Sequence, residues 1–268
     1  MDSSPYDIKQ RDGLTWAEAG AEHGGVPVIF LHGMMGDISN WETTIPAVAK
    51  AGYRVLCPIL PVYTMPLRRA NLEGLVSFVD RFLHEQDLQE VVMAGNSLGG
   101  HLAVLYAIHH PEHVRALVLT GASGIYEVEM SSSIMRRKDK NYLRPRVEKT
   151  FYDPSHVTDE LLDDVIEIIN DREKAVRLIK FARSVDKASV KADLDRVHAS
   201  TLLVWGSQDL ITPPDVARTF YDGIPRSELH FLDECGHVPM QEQPELFNEL
   251  LIDFLDRTAS EDNQALAS

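Results

Sequence analysis

Short runs of aliphatic and β-branched residues recur along the chain at 26–31 (VPVIFL), 54–60, 91–94 (VVMA), 114–120 (VRALVLT) and 201–205 (TLLVW), bounded by Gly, Pro or Asn. Such runs suit strands buried on both faces of a parallel sheet. Between them the apolar positions take helical spacing over 41–51, over 72–86, where Leu75, Val76, Val79, Phe82 and Leu83 share a face, and over 99–110. Alternating strand and helix predicts an α/β fold, a mostly parallel central sheet flanked by helices on both sides.

The alternation stops over residues 126–195. There the pattern is helical, with one stripe of Leu161, Leu162, Val165, Ile168 and Ile169 and another of Val176, Ile179, Phe181, Ala182 and Val185. Asn170 and Glu173 have the form of an N-cap pair between them. Beyond 201 come a capped helix start at Thr212-Pro213-Pro214-Asp215, a strand at 228–232 and a helix over 244–255. The expected organisation is a core of residues 1–125 and 196–258, interrupted by a helical cap at 126–195 and followed by a polar, frayed tail at 259–268.

At 268 residues the chain has room for fewer than two domains of about 150 residues. Its 26 Lys and Arg against 41 Asp and Glu give a net charge of -15, so neither nucleic acid nor an anionic membrane surface is an expected partner. Cys57 and Cys235 stand far apart, without a CxxC or a neighbouring histidine cluster, which suggests neither a disulfide nor a metal site. The polar first ten residues show no secretory pattern, and a cytoplasmic location is expected. Residues 91–111 lack Asp, Glu, Lys and Arg and approach spanning length, but Asn96, Ser97, His101 and three glycines make them strand, turn and helix.

Candidate chemistry lies where strands end. Gly95-Asn96-Ser97-Leu98-Gly99-Gly100 follows one strand and opens a helix, the context in which G-x-S-x-G presents a nucleophile on a tight turn. Glycines on either side relieve the crowding, and the helix start aims unpaired N–H groups at the same place. Such a serine needs a base, and the base an orienting carboxylate. Asp209 follows the strand at 201–205, and His237 follows the next, giving the order serine, aspartate, histidine. His32-Gly33-Met34-Met35-Gly36 ends the first apolar strand, and the backbone N–H groups of Met34 and Leu98 are the candidate oxyanion donors. The glycines of that loop lack the spacing of a nucleotide-binding loop.

HGMMGD, GNSLGG, WGSQD and GHVPMQEQPE, in this order, resemble the α/β-hydrolase superfamily in its capped, single-domain branch, over residues 6–255. The resemblance implies the α/β-hydrolase fold with a cap inserted after the sixth strand, and a triad of Ser97, Asp209 and His237. It also implies a small-molecule ester or related carbonyl substrate, and no cofactor. Ser97 stands where haloalkane dehalogenases and epoxide hydrolases of this fold place an aspartate, which argues against both activities. Where many members carry D-x-x-G-x-G, this chain reads Pro58-Ile59-Leu60-Pro61-Val62-Tyr63.

The GNS turn and the cap length also resemble hydrolases that cleave carbon-carbon bonds in 2-hydroxy-6-oxo-dienoates, although those follow the catalytic histidine with tryptophan where this chain has Val238. Hydrolysis of a carboxylic ester is the expected activity, carbon-carbon cleavage the alternative, and a non-catalytic ligand-binding protein on the same fold the reading of another class. The oligomeric state is left open. Met35, Tyr63, Tyr126, Met130 and Val238 are the candidate substrate-facing residues, with Met34, Met65, Met135 and Met240 nearby as adaptable apolar filler. His101 reads as a packed helix histidine, and Arg136, Arg137, Lys138 and Lys140 as a solvated helix face.

Overall fold

The computed structural model describes residues 5–128 and 139–266. Strands β1 (Asp7–Arg11), β2 (Leu14–Ala19), β3 (Val28–Leu31), β4 (Val55–Pro58), β5 (Val91–Asn96), β6 (Val114–Thr120), β7 (Ser200–Gly206) and β8 (Ser227–Leu232) form one sheet in the order β1-β2-β4-β3-β5-β6-β7-β8. The β1-β2 and β2-β4 pairs are antiparallel and the rest parallel. Helices α1 (Thr44–Lys50), α2 (Leu72–Glu85) and α3 (Leu98–His109) precede or follow the central strands. Helices α4 (Lys140–Val147), α5 (Asp159–Asn170) and α6 (Arg172–Lys187) lie between β6 and β7, and α7 (Pro214–Gly223), α8 (Pro239–Glu242) and α9 (Pro244–Leu266) complete the chain.

Strands β3 to β7 are buried on both faces, the edge strand β8 is half-buried, and the side chains divide by parity between two cores. Ile29, Leu31 and Met93 face one core with Leu75, Val79 and Phe82 of α2, Leu102 and Tyr106 of α3, and Phe220 of α7. Val28, Phe30 and Val92 face the other with Ile45 and Val48 of α1 and Phe247, Leu251 and Phe254 of α9. Phe30 stacks on Trp41 with ring centroids 4.6 Å apart, and Trp41 meets Phe247 in turn.

Strands β1 and β2 were not expected. Four of the five β1 residues are exposed, so its sequence DIKQR has no apolar period to read. The turn that joins it to β2 is nevertheless a strong local signal: Asp12 and Gly13 both have positive φ, 50° and 76°, with Arg11 paired to Leu14. An Asp-Gly pair in this conformation closes a two-residue hairpin whose twist matches its strands.

The insertion departs from expectation in two places. Asp171, not Asn170, caps α6, its carboxylate accepting from the N–H groups of Glu173 and Lys174. On α6 Leu178, Phe181 and Val185 are buried against the core while Val176 and Ile179 lie on the exposed face. Leu143, Val147, Val157, Leu162, Val165 and Ile169 form a small core of the insertion's own. Helix α9 continues to Leu266 through the region expected to fray, and the Thr258 hydroxyl is satisfied by the carbonyls of Phe254 and Leu255. Among the described residues no helix is long and apolar enough to cross a membrane.

Phe30→Ala removes a fully buried ring from beneath Trp41 and should cost about 3–5 kcal/mol of stability, read from urea denaturation. A loss below about 1 kcal/mol would show that the two faces of the sheet do not pack as described.

Candidate active site

Ser97 occupies the tight turn between β5 and α3, at φ 55° and ψ -119°, a backbone region that L-residues rarely adopt. Packing α3 directly over the end of β5 forces this turn. A Cβ at Gly99 would lie 2.1 Å from the Leu31 carbonyl oxygen, so only glycine permits the approach. The Ser97 N–H donates to the Thr120 carbonyl at 3.1 Å, and its own carbonyl accepts from the N–H groups of His101 and Ser123 at 3.0 and 3.1 Å. These bonds fix the backbone and leave the half-buried side chain as the part presented outward.

Asp209 and His237 meet at the ends of β7 and β8. His237 Nδ1 lies 2.9 Å from Asp209 Oδ2, and both residues are buried. The Asp209 carboxylate is fully engaged: Oδ1 accepts from the N–H groups of Ile211 and Thr212, and Oδ2 also accepts from the Thr212 hydroxyl at 2.9 Å. A carboxylate held by this many donors cannot rotate, so it fixes the imidazole with Nδ1–H toward Oδ2 and Nε2 free to accept. Burial alone would lower the His237 pKa, but the charges of Asp209, Glu127 and Glu242 together outweigh it and hold the imidazole above its ordinary value.

Three groups that the sequence did not assign to the site tie these loops together. The Asn96 amide donates to the carbonyls of Thr120 and His237 at 3.1 and 3.0 Å, linking the serine turn to the histidine loop. Thr212, expected to cap the helix after β7, instead serves Asp209, and Pro213 takes the cap position without a side-chain bond. Glu242 accepts from Gly236 N–H and Tyr152 N–H at 2.8 and 2.6 Å, while His237 N–H donates to the Thr150 carbonyl, so the insertion docks on the histidine loop. No sequence pattern distinguishes Glu242 from other surface acids. Asp233, a second carboxylate close to His237 in sequence, is exposed and accepts from the Gln208 side chain at 2.8 Å.

The glycine-rich loop after β3 lies beside the serine turn, for a Cβ on Gly33 would stand 3.5 Å from that of Ser97. His32 shapes this loop. Its Nε2 accepts from Leu60 N–H at 2.9 Å, which leaves Nδ1–H to donate to the Gly33 carbonyl at 2.8 Å. Met34 follows at the edge of the same bend, half-buried, and Leu98 is the first residue of α3.

The candidate substrate-facing residues divide. The Tyr63 hydroxyl reaches the Met34 carbonyl at 3.5 Å, and burial pushes its phenol pKa up. Met35 and Tyr126 are exposed, with the Tyr126 hydroxyl on Asp215. Val238 is not brought to the site, since its side chain is buried in the core that contains Phe30 and Phe247. Met130, Met135, Arg136, Arg137 and Lys138 lie outside the described residues. Met65 and Met240 are core residues, and Lys140 pairs with Asp163. Cys57 and Cys235 are both buried free thiols. His101 is buried against Gly124, and burial lowers its pKa to about 4.

A model of the alpha/beta hydrolase family matches residues 28–250. The chain belongs to this family. It is 31% identical over 252 residues to the dihydrolipoyllysine-residue acetyltransferase component of an acetoin cleaving system from Pseudomonas putida, over 90% of this chain and 66% of that protein, just under two thirds of its length. It is 29% identical over 259 residues to a 2-hydroxy-6-oxononadienedioate/2-hydroxy-6-oxononatrienedioate hydrolase from Cupriavidus pinatubonensis, over 88% of each. An α/β-hydrolase enzyme from the metagenome of sediments of the Mar Chica lagoon, Morocco, superposes with a TM-score of 0.77 at 33% identity, covering 94% of this chain and 98% of that one. This α/β hydrolase carries the family's sheet and helices, with the serine turn, Asp209 and His237 following β5, β7 and β8.

An NMR titration of the histidine rings should place the His237 pKa above about 6.5, and Asp209→Asn should lower it, since the variant removes the largest contribution opposing burial. His101 in the same spectra should stay neutral down to about 4. A His237 pKa unmoved by Asp209→Asn would mean that the carboxylate does not govern the imidazole.

Proposed function

We propose that this α/β hydrolase is a serine hydrolase of small carboxylic esters, with Ser97 as nucleophile, His237 as general base and then acid, and Asp209 as its orienting carboxylate. The observation that carries the reading is the 2.9 Å contact of His237 Nδ1 with a fully bonded Asp209, in a loop that the Asn96 amide ties to the strained serine turn. Ser97 Oγ attacks the ester carbonyl carbon as its proton passes to His237 Nε2. The oxyanion is received by the N–H groups of Met34 and Leu98. Collapse of the intermediate expels the alcohol, which takes its proton from the imidazolium and leaves an acyl group on Ser97. Water, deprotonated by His237, then attacks the acyl carbonyl, and the acid departs with the serine hydroxyl restored.

The chemistry requires no metal or organic cofactor. The helical insertion, docked on the histidine loop through Thr150 and Tyr152, serves as the cap that walls the substrate pocket, with Tyr63 and Tyr126 on its rim. Carbon-carbon cleavage of a 2-hydroxy-6-oxo-dienoate is the second reading, favoured by the relative from Cupriavidus pinatubonensis named for it. That reaction also needs groups to hold the substrate carboxylate and stabilise a carbon leaving group. Tryptophan, which the resemblance leads one to expect after the histidine, is replaced here by a buried valine.

A panel of short, medium and aryl esters beside a ring-fission dienoate separates the readings. The preferred ester should exceed the dienoate by at least about 10-fold in kcat/KM, and Ser97→Ala should abolish turnover with the fold intact. Asp209→Asn should cut kcat by up to about 10⁴ and Asp233→Asn should leave it near wild type. Because the neutral imidazole is the working base, kcat/KM should rise with pH through a value above about 6.5. A dienoate turned over faster than every ester would reverse the ranking.

A further inference from the structure

Glu242 closes α8, and its carboxylate gathers backbone N–H groups from two parts of the chain that lie far apart in sequence. Oε1 accepts from Gly236 N–H at 2.8 Å, in the loop that carries His237. Oε2 accepts from Tyr152 N–H at 2.6 Å and from Asp153 N–H at 3.3 Å, both in the insertion. The two segments also touch directly. His237 N–H donates to the Thr150 carbonyl at 2.8 Å, and a Cβ on Gly236 would stand 2.8 Å from that carbonyl oxygen and 2.9 Å from Tyr152 N. Between Thr150 and Tyr152, Phe151 packs against both the insertion's own core and the core that contains Phe30 and Phe247.

The backbone of His237 is thus held from two sides. Its carbonyl accepts from the Asn96 amide, which belongs to the serine turn, and its N–H is taken by the insertion. Asp209 then orients the ring. Where Nε2 comes to lie depends on the main-chain position as well as on that carboxylate, and a misplacement of about 1 Å at a reacting group can cost about 10²-fold in rate. A glutamate suits the bridging position. Both its oxygens accept only, so one can serve each segment, and hydrogen bonds to a charged acceptor are roughly twice as strong as neutral ones. Glutamine there would turn an amide donor toward one set of N–H groups, and aspartate, shorter by one methylene, would fall short of spanning both.

We propose that Glu242 is a positioning residue, which couples the docking of the insertion at residues 150–153 to the placement of His237. The inference rests on the ester-hydrolase reading, in which His237 is the base, and goes beyond it by making the insertion part of the catalytic geometry as well as a wall of the pocket. The carboxylate has two separable effects. As a charge, Glu242 joins Asp209 and Glu127 in raising the His237 pKa. As a bridge, it acts whatever the protonation state of the imidazole. Glu242→Asp keeps the charge and shortens the reach, whereas Glu242→Gln keeps the reach and removes the charge. A bridge fails in both variants, and a purely electrostatic role fails in Glu242→Gln alone.

The test compares the full-length wild type with both variants by kcat and KM for the preferred ester, by the rate of fluorophosphonate labelling of Ser97, and by amide hydrogen exchange. Both variants should lose about 10-fold or more in kcat and in labelling rate, with KM within about 3-fold of wild type. The loss should persist at pH well above the His237 pKa, where the imidazole is neutral in all three proteins. Exchange at Tyr152 and Asp153 and at Gly236 and His237 should speed together, while the amides of β3 and β5 keep wild-type protection. A variant that fails to fold is replaced by Gly236→Ala, whose Cβ presses on Thr150 and Tyr152 and should give the same joint loss. Wild-type kcat in Glu242→Asp, or faster exchange of the insertion with kcat unchanged, overturns the inference and leaves the ester reading standing. A wild-type protein that neither hydrolyses an ester nor takes the label overturns the ester reading, and this inference with it.

Discussion

The turn at Ser97 is the constraint on which the rest of the site depends. Placing α3 against the ends of β3 and β5 leaves no room for side chains at Gly95 or Gly99, and it drives Ser97 to positive φ. A non-glycine residue held there costs of order 1–3 kcal/mol, a cost met by the surrounding packing. The return is position: neighbouring Asn96 and Leu98 are buried while Ser97 is the one residue of the turn left half-exposed. The same approach brings the Gly33 loop beside it and lets Asn96 hold the His237 carbonyl.

Electrostatics then divides the carboxylates by role. Asp209 has a donor at every lone pair and serves only to hold and charge-balance His237. Glu242 bonds the backbone of the histidine loop and of the insertion, so it fixes one against the other. Burial pushes the Glu127 pKa up, opposed by the Ser123 hydroxyl and by His237. All three raise the His237 pKa against burial, which would otherwise favour a weaker base.

Much of this was legible in the sequence, for physical reasons. Parallel strands covered on both faces must be continuously apolar, so β3 to β7 announce themselves, and Gly95, Gly99 and Gly100 mark where a helix must approach a strand. Ser97, Asp209 and His237 follow from their places at strand ends. The exposed edge strand β1 has no period to read, although its Asp12-Gly13 turn was a usable signal. Val176 and Ile179 mislead because they lie on the exposed face of α6. Val238 sits next to His237 in sequence, yet its side chain is buried in the core that contains Phe30 and Phe247. Thr212, Asn96 and Glu127 act through contacts made by distant loops, which no local pattern encodes.

The central claim is that Ser97 is an activated nucleophile, and covalent labelling tests it without presuming a substrate. A fluorophosphonate incubated with the full-length chain, followed by peptide mass mapping, should add one phosphonyl group to the peptide containing Ser97 and leave the other serines unmodified. A protein that stays unlabelled, or one labelled at a different serine, would contradict the account and favour a binding function on the same fold.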